Sequence, residues 1–125
     1  MYRVTVSARF EAAHNLIHYK GGVEPLHGHS YRVEAVLESE KLQQDDVALD
    51  FLPARQALEA IAGEFDYRYI NEHQAFVSRN SSAENLARYF AERLESSGIL
   101  GGTRVVEVTV WEGPENRATY VPRRT

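Results

Sequence analysis

The stretch Tyr2-Arg3-Val4-Thr5-Val6-Ser7-Ala8-Arg9-Phe10-Glu11-Ala12-Ala13-His14 sets the frame for the whole chain. Tyr2, Val4, Val6, Ala8, Phe10, Ala12 and His14 share one parity, while Arg3, Thr5, Ser7, Arg9 and Glu11 share the other. Successive strand side chains point to opposite faces, so this alternation predicts a long strand with one buried face. It also places an ionisable imidazole, His14, at the end of the buried face.

Working outward, Asn15 to Pro25 contains Gly21-Gly22 and breaks every period, which predicts a loop. A second strand, about His29 to Ser39, puts Tyr31, Val33, Ala35 and Leu37 on its apolar side and Arg32, Glu34 and Glu38 opposite. A helix is expected from near Pro53, with Ala57, Leu58, Ile61, Ala62 and Phe65 as its stripe. A second helix opens at Ser81-Ser82-Ala83-Glu84, which has the form of a capping box, and buries Ala83, Leu86, Ala87, Phe90 and Leu94 before Gly98. Thr103 to Trp111 alternates Val106, Val108 and Val110 against Glu107 and Thr109. A turn at Gly113-Pro114-Glu115-Asn116 then leads to a short strand, about Ala118 to Val121. The order ββααββ predicts an α+β domain over residues 1–125: one antiparallel four-stranded sheet with both helices on one face. Its long edges favour an oligomer.

Composition narrows the functional classes. The 125 residues are 43% apolar and 26% charged, with a net charge of −4 and no cysteine. No disulfide, thiolate metal site or cysteine nucleophile is available. The acidic balance offers no basic surface, so nucleic acid is an unexpected partner. The alternating first residues are unlike a signal peptide and no apolar run reaches membrane-spanning length, so a cytoplasmic protein without a membrane partner is expected.

Three histidines carry the chemistry. In Glu24-Pro25-Leu26-His27-Gly28-His29-Ser30-Tyr31, strand geometry puts His27 and His29 on the same face. With His14 they make three imidazoles on apolar parity, a set that suits zinc and leaves a tetrahedral ion one open position. The H-x-H pair alone also fits two hydrogen-bonded core histidines. His18 and His73 lie in polar segments and read as surface residues. Glu112 ends a buried-parity strand beside a Gly-Pro turn, where an acid is either a site residue or a solvated strand end.

Phe10-Glu11-Ala12-Ala13-His14, Leu26-His27-Gly28-His29-Ser30-Tyr31, Leu49-Asp50-Phe51, Phe65-Asp66-Tyr67-Arg68-Tyr69-Ile70-Asn71, Ser82-Ala83-Glu84-Asn85-Leu86-Ala87 and Val110-Trp111-Glu112 together resemble, in order and spacing, the 6-pyruvoyl-tetrahydropterin synthase / 6-carboxytetrahydropterin synthase family. The resemblance covers nearly the whole chain. It implies the tunnelling fold, in which the sheets of three subunits join into a barrel and two trimers stack into a homohexamer with interfacial active sites. It also implies Zn2+ on His14, His27 and His29, a pterin substrate anchored by Glu112, and lyase activity.

Two positions depart from the family pattern. Typical members carry a catalytic cysteine where this chain has Val23, and a histidine after Asp66 where it has Tyr67. Glu24, three residues before His27, resembles a variant branch in which glutamate takes the cysteine's role. That branch cleaves the side chain of dihydroneopterin triphosphate to 6-hydroxymethyl-dihydropterin, a folate precursor. On this reading Glu24 is the base, Tyr67 donates a proton, Asp66 orients Tyr67 or a water, and Ser82 contacts the ligand. Each also has a plainer reading: Glu24 as a loop residue, Asp66 as a turn residue, Ser82 as a helix cap. Two further functions stay open, 6-carboxytetrahydropterin synthesis toward deazapurines such as queuosine, and a non-catalytic zinc- and pterin-binding homologue.

Overall fold

The long alternating stretch is a strand, β1 (Tyr2–His14), in the computed structural model, which describes residues 1–123. β2 (His27–Ser39) returns antiparallel beside it, in a register running from Tyr2 opposite Ser39 to His14 opposite His27. The strand begins two residues earlier than the sequence pattern indicated, so the whole H-x-H segment is paired. Then follow α1 (Phe51–Ala62), β3 (Arg68–Tyr69), two single 3-10 turns (Ile70–Glu72 and Gln74–Phe76), α2 (Ala83–Ser96), β4 (Arg104–Glu112) and β5 (Asn116–Tyr120). The strand order is β3-β1-β2-β4-β5.

The α+β class and the ββααββ backbone are as the pattern predicts, but the sheet has five strands instead of four. β3 pairs in parallel with β1, Ala12 against Arg68 and Ala13 against Tyr69. Two residues are too short for any alternation to register, so no sequence pattern marks this strand. A second difference lies in β4. Val36 faces Glu107 but Leu37 faces Val105, so Val106 is the extra residue of a bulge. The bulge shifts parity, and Val105, Val108 and Val110 are buried where simple alternation named Val106.

Local chemistry explains the helix ends. α1 starts at Phe51, capped by Asp50, whose carboxylate accepts the Leu52 N–H at 3.2 Å. Pro53 then occupies the first turn, where a missing N–H loses no helical bond. α2 is capped by Ser82, whose Oγ accepts from the Asn85 N–H at 3.1 Å. Glu84 is an acid in the first turn, not the far half of a capping box starting at Ser81, and Ser81 itself is fully buried.

Both helices cover the apolar face of the sheet. Phe10 and Tyr31, directly opposite in register, stack with ring centroids 4.7 Å apart. Phe65, Phe76, Phe90, Leu58, Leu86 and Leu94 close over them. Among the described residues no helix is long and apolar enough to cross a membrane.

Candidate metal and pterin site

Sheet register alone brings the site together. On the apolar face Phe10, Tyr31 and Glu112 form one transverse row, Ala12 and His29 the next, and His14 and His27 the last. The three imidazoles therefore meet at the end of the sheet where the helices no longer cover it. His14 is 3% exposed, and His27 and His29 are partly exposed. One ligand atom from each histidine falls within 4.8 Å of the others.

Hydrogen bonds fix which nitrogens face inward. His14 Nδ1 donates to the Ser81 carbonyl at 2.7 Å and His27 Nδ1 to the Pro25 carbonyl at 2.8 Å. A carbonyl only accepts, so each Nδ1 must carry the hydrogen in the neutral ring. Both Nε2 atoms then present lone pairs to each other, 3.1 Å apart. Two facing lone pairs at that distance repel unless a cation lies between them. This donor set fits a divalent metal, and backbone carbonyls holding the outer nitrogens are the usual way of orienting metal-bound histidines. Burial, the larger influence, keeps the His29 pKa below its ordinary value, against the opposing pull of Glu112. A lowered pKa favours the neutral, ligating form.

Glu112 lies beside the triad, its Oε2 3.4 Å from His14 Nε2 and 3.9 Å from His29 Nε2. Its carboxylate thus borders the histidine cluster. Tyr31, directly opposite Glu112 in register, packs edge-on to His14 and His29. Its pKa is pushed well up, chiefly by burial, so it remains a neutral phenol.

Glu24 is not a free loop residue. Its Oε1 accepts the Leu16 N–H at 3.0 Å, its own N–H donates to the Leu16 carbonyl at 2.9 Å, and Oε1 lies 3.9 Å from His27 Nδ1. One carboxylate oxygen is engaged by the backbone, and the other has no hydrogen-bond partner among the described residues.

The remaining expected residues lie apart from the triad. Asp66 accepts the Glu11 N–H at 2.9 Å. Tyr67 is 84% exposed, with φ of +56°, a left-handed conformation that is rare for a bulky side chain. Within one chain neither touches the histidines. The Ser82 hydroxyl is engaged as the α2 cap. His73, read from sequence as a surface residue, is tied to Glu64 at 2.9 Å and packed against Phe65 and Tyr89. The sequence pattern missed Asn15, Tyr69, Asn71 and Ser81, which hydrogen-bond to one another around the outer side of His14. Their only signal is that Tyr69 and Asn71 fall within the Phe65–Asn71 block.

Known proteins share this chain's sequence pattern and fold. Residues 3–123 match the family model described as 6-pyruvoyl tetrahydropterin synthase. The chain is 29% identical to a 6-carboxy-5,6,7,8-tetrahydropterin synthase of Aquifex aeolicus, over 95% of this chain and 97% of the relative. It is 29% identical to a dihydroneopterin monophosphate aldolase of Pyrococcus furiosus, over 90% and 91%. The Caenorhabditis elegans 6-pyruvoyl tetrahydropterin synthase structure superposes with a TM-score of 0.79 over 98% of both chains at 24% identity. With the family model spanning nearly its whole length and the five-stranded sheet following the same fold, this chain belongs to the 6-pyruvoyl tetrahydropterin synthase family.

Proposed function

We propose that this member of the family is a zinc-dependent lyase that shortens the side chain of a dihydroneopterin phosphate, with 6-hydroxymethyl-dihydropterin as product. Lyase action on a pterin side chain is common ground among its relatives, which include both a carboxytetrahydropterin synthase and an aldolase. The observation that carries the zinc assignment is the pair of inward lone pairs on His14 and His27, with His29 as third donor. Zinc, when bound, supplies a Lewis acid that polarises the side-chain hydroxyls and stabilises negative charge on oxygen.

The protein's own groups do the rest. Glu112 accepts the two neighbouring N–H donors of the pterin and orients the ring. The free oxygen of Glu24 takes the proton from the hydroxyl on the second side-chain carbon. The bond between the first and second side-chain carbons breaks, its electrons pass to the ring imine, and the first carbon regains a proton to become a hydroxymethyl group. The second and third carbons leave as an aldehyde. Glutamate suits this step because a carboxylate is ionised at neutral pH and needs no partner to deprotonate it, unlike a thiol. Asp66, partly buried, and Tyr67, exposed, both at the β1 edge, would serve a neighbouring subunit in a hexamer of two stacked trimers, with Tyr67 donating a proton there.

A second reading, 6-carboxytetrahydropterin synthesis, is favoured by the Aquifex aeolicus relative. The absence of any cysteine weighs against it. Incubation with dihydroneopterin monophosphate or triphosphate, with product identification by mass spectrometry, separates the two. 6-hydroxymethyl-dihydropterin supports the aldolase-type reading, a 6-carboxy product supports the second, and no product leaves a binding protein.

A further inference from the structure

The geometry points to Asn71 as a positioning residue for the metal centre, acting on His14 through Ser81 and on the Glu24 loop through Asn15. This inference rests on the zinc reading above. Asn71 lies in the 3-10 turn after β3, 56 positions from Asn15 and 10 from Ser81. Its Nδ2 donates to the Asn15 carbonyl at 2.7 Å and to Asn15 Oδ1 at 3.1 Å, and its Oδ1 accepts from Ser81 Oγ at 2.6 Å. One side-chain amide thus clamps the residue that follows His14 to the residue whose carbonyl aims the His14 ring.

The second arm runs through Asn15. Its Oδ1 accepts from the Tyr69 hydroxyl as well as from Asn71, and its Nδ2 donates to the Glu24 carbonyl at 3.0 Å. Both amide orientations are fixed by their partners, because the nitrogen must face carbonyls and the oxygen must face donors. The metal ligand His14 and the base Glu24 are therefore set from one polar hub. A fully satisfied network of this kind specifies a single arrangement, and a half-satisfied one does not.

Asn71→Asp is the informative change. It keeps the acceptor for Ser81 but replaces the Nδ2 donor by an oxygen facing two Asn15 oxygens. Ser81→Ala removes the hydroxyl that meets Asn71 and leaves the Ser81 carbonyl in place. Ile70→Val, buried next to Asn71 and outside the network, controls for lost stability. Zinc affinity is read by competition with a chromophoric chelator, alongside the visible absorption of the cobalt-loaded protein and melting of the metal-free form.

Expected for Asn71→Asp is a loss of zinc affinity of about 10–100-fold, the usual effect of removing an outer partner of a metal ligand. A changed cobalt spectrum should accompany it, with a smaller shift of the same sign in Ser81→Ala and wild-type affinity in Ile70→Val. If Asn71→Asp does not fold, Ser81→Ala decides. Zinc affinity in these variants no lower than in Ile70→Val would overturn the positioning role alone. A wild-type protein that binds no zinc would instead overturn the metal reading and this inference with it.

Discussion

Glu24 is the residue on which the proposed chemistry turns, because it stands next to Val23, where the resemblance to the family leads one to expect a cysteine. Glu24→Gln keeps size and hydrogen bonding and removes the base. Turnover is expected to fall ~10²–10⁴-fold, the usual contribution of a general base, while zinc content stays at the wild-type level. Steady-state kinetics with metal analysis on the same preparation checks this, and unchanged turnover would return Glu24 to the role of a loop residue. At this scale the histidine triad was legible because parity is a property of the chain itself. The orienting partners were not, since His14 and His27 are held by main-chain carbonyls of Ser81 and Pro25, which have no residue-type signature. Nor does Tyr67 announce its left-handed backbone, because that conformation comes from the edge of β1 and not from tyrosine.

Between elements, the polar face of the sheet is bound across strands by Glu38 of β2. Its carboxylate is only 5% exposed and accepts from Arg104 of β4 and Arg3 of β1. Hydrogen bonds from Arg104 first, then Arg3, hold its pKa below the usual carboxylate range. A depressed folded value means that the stabilisation is fully present above the ordinary glutamate pKa of about 4.3 and is lost as pH falls through the folded value. Glu38→Gln should therefore lower stability at neutral pH, with the gap to wild type closing in acid. Urea denaturation followed across that range checks it, and a gap independent of pH would contradict it. Helices and long strands were readable here because their periods run over many residues. The Val106 bulge and the two-residue β3 were not, because register and short pairings are decided by the partner strand.

For the whole molecule, the outer edges of the sheet matter most. β3 covers β1 only at Ala12 and Ala13, leaving the rest of that edge and all of β5's outer edge without a paired strand among the described residues. Long open edges invite pairing with another copy, and closing sheets into a barrel removes them. The open side of the histidine cluster and the exposed Tyr67 also suit completion by a neighbour. Light scattering at low concentration is expected to give a hexamer, or at least a trimer, and a stable monomer would contradict the proposal that a neighbouring subunit completes the site. The fold class was legible because the ββααββ order leaves few packings, whereas no periodicity in one chain encodes how copies meet.

Zinc dependence of turnover tests the central claim most directly. Protein stripped with a strong chelator, exchanged into metal-free buffer and supplied with dihydroneopterin monophosphate or triphosphate should form no product, and adding about one equivalent of zinc per chain should restore it. Restoration should fail in His29→Ala. Full turnover by the metal-free protein, or an unaltered response to zinc in His29→Ala, would contradict the three-histidine centre as the seat of the reaction.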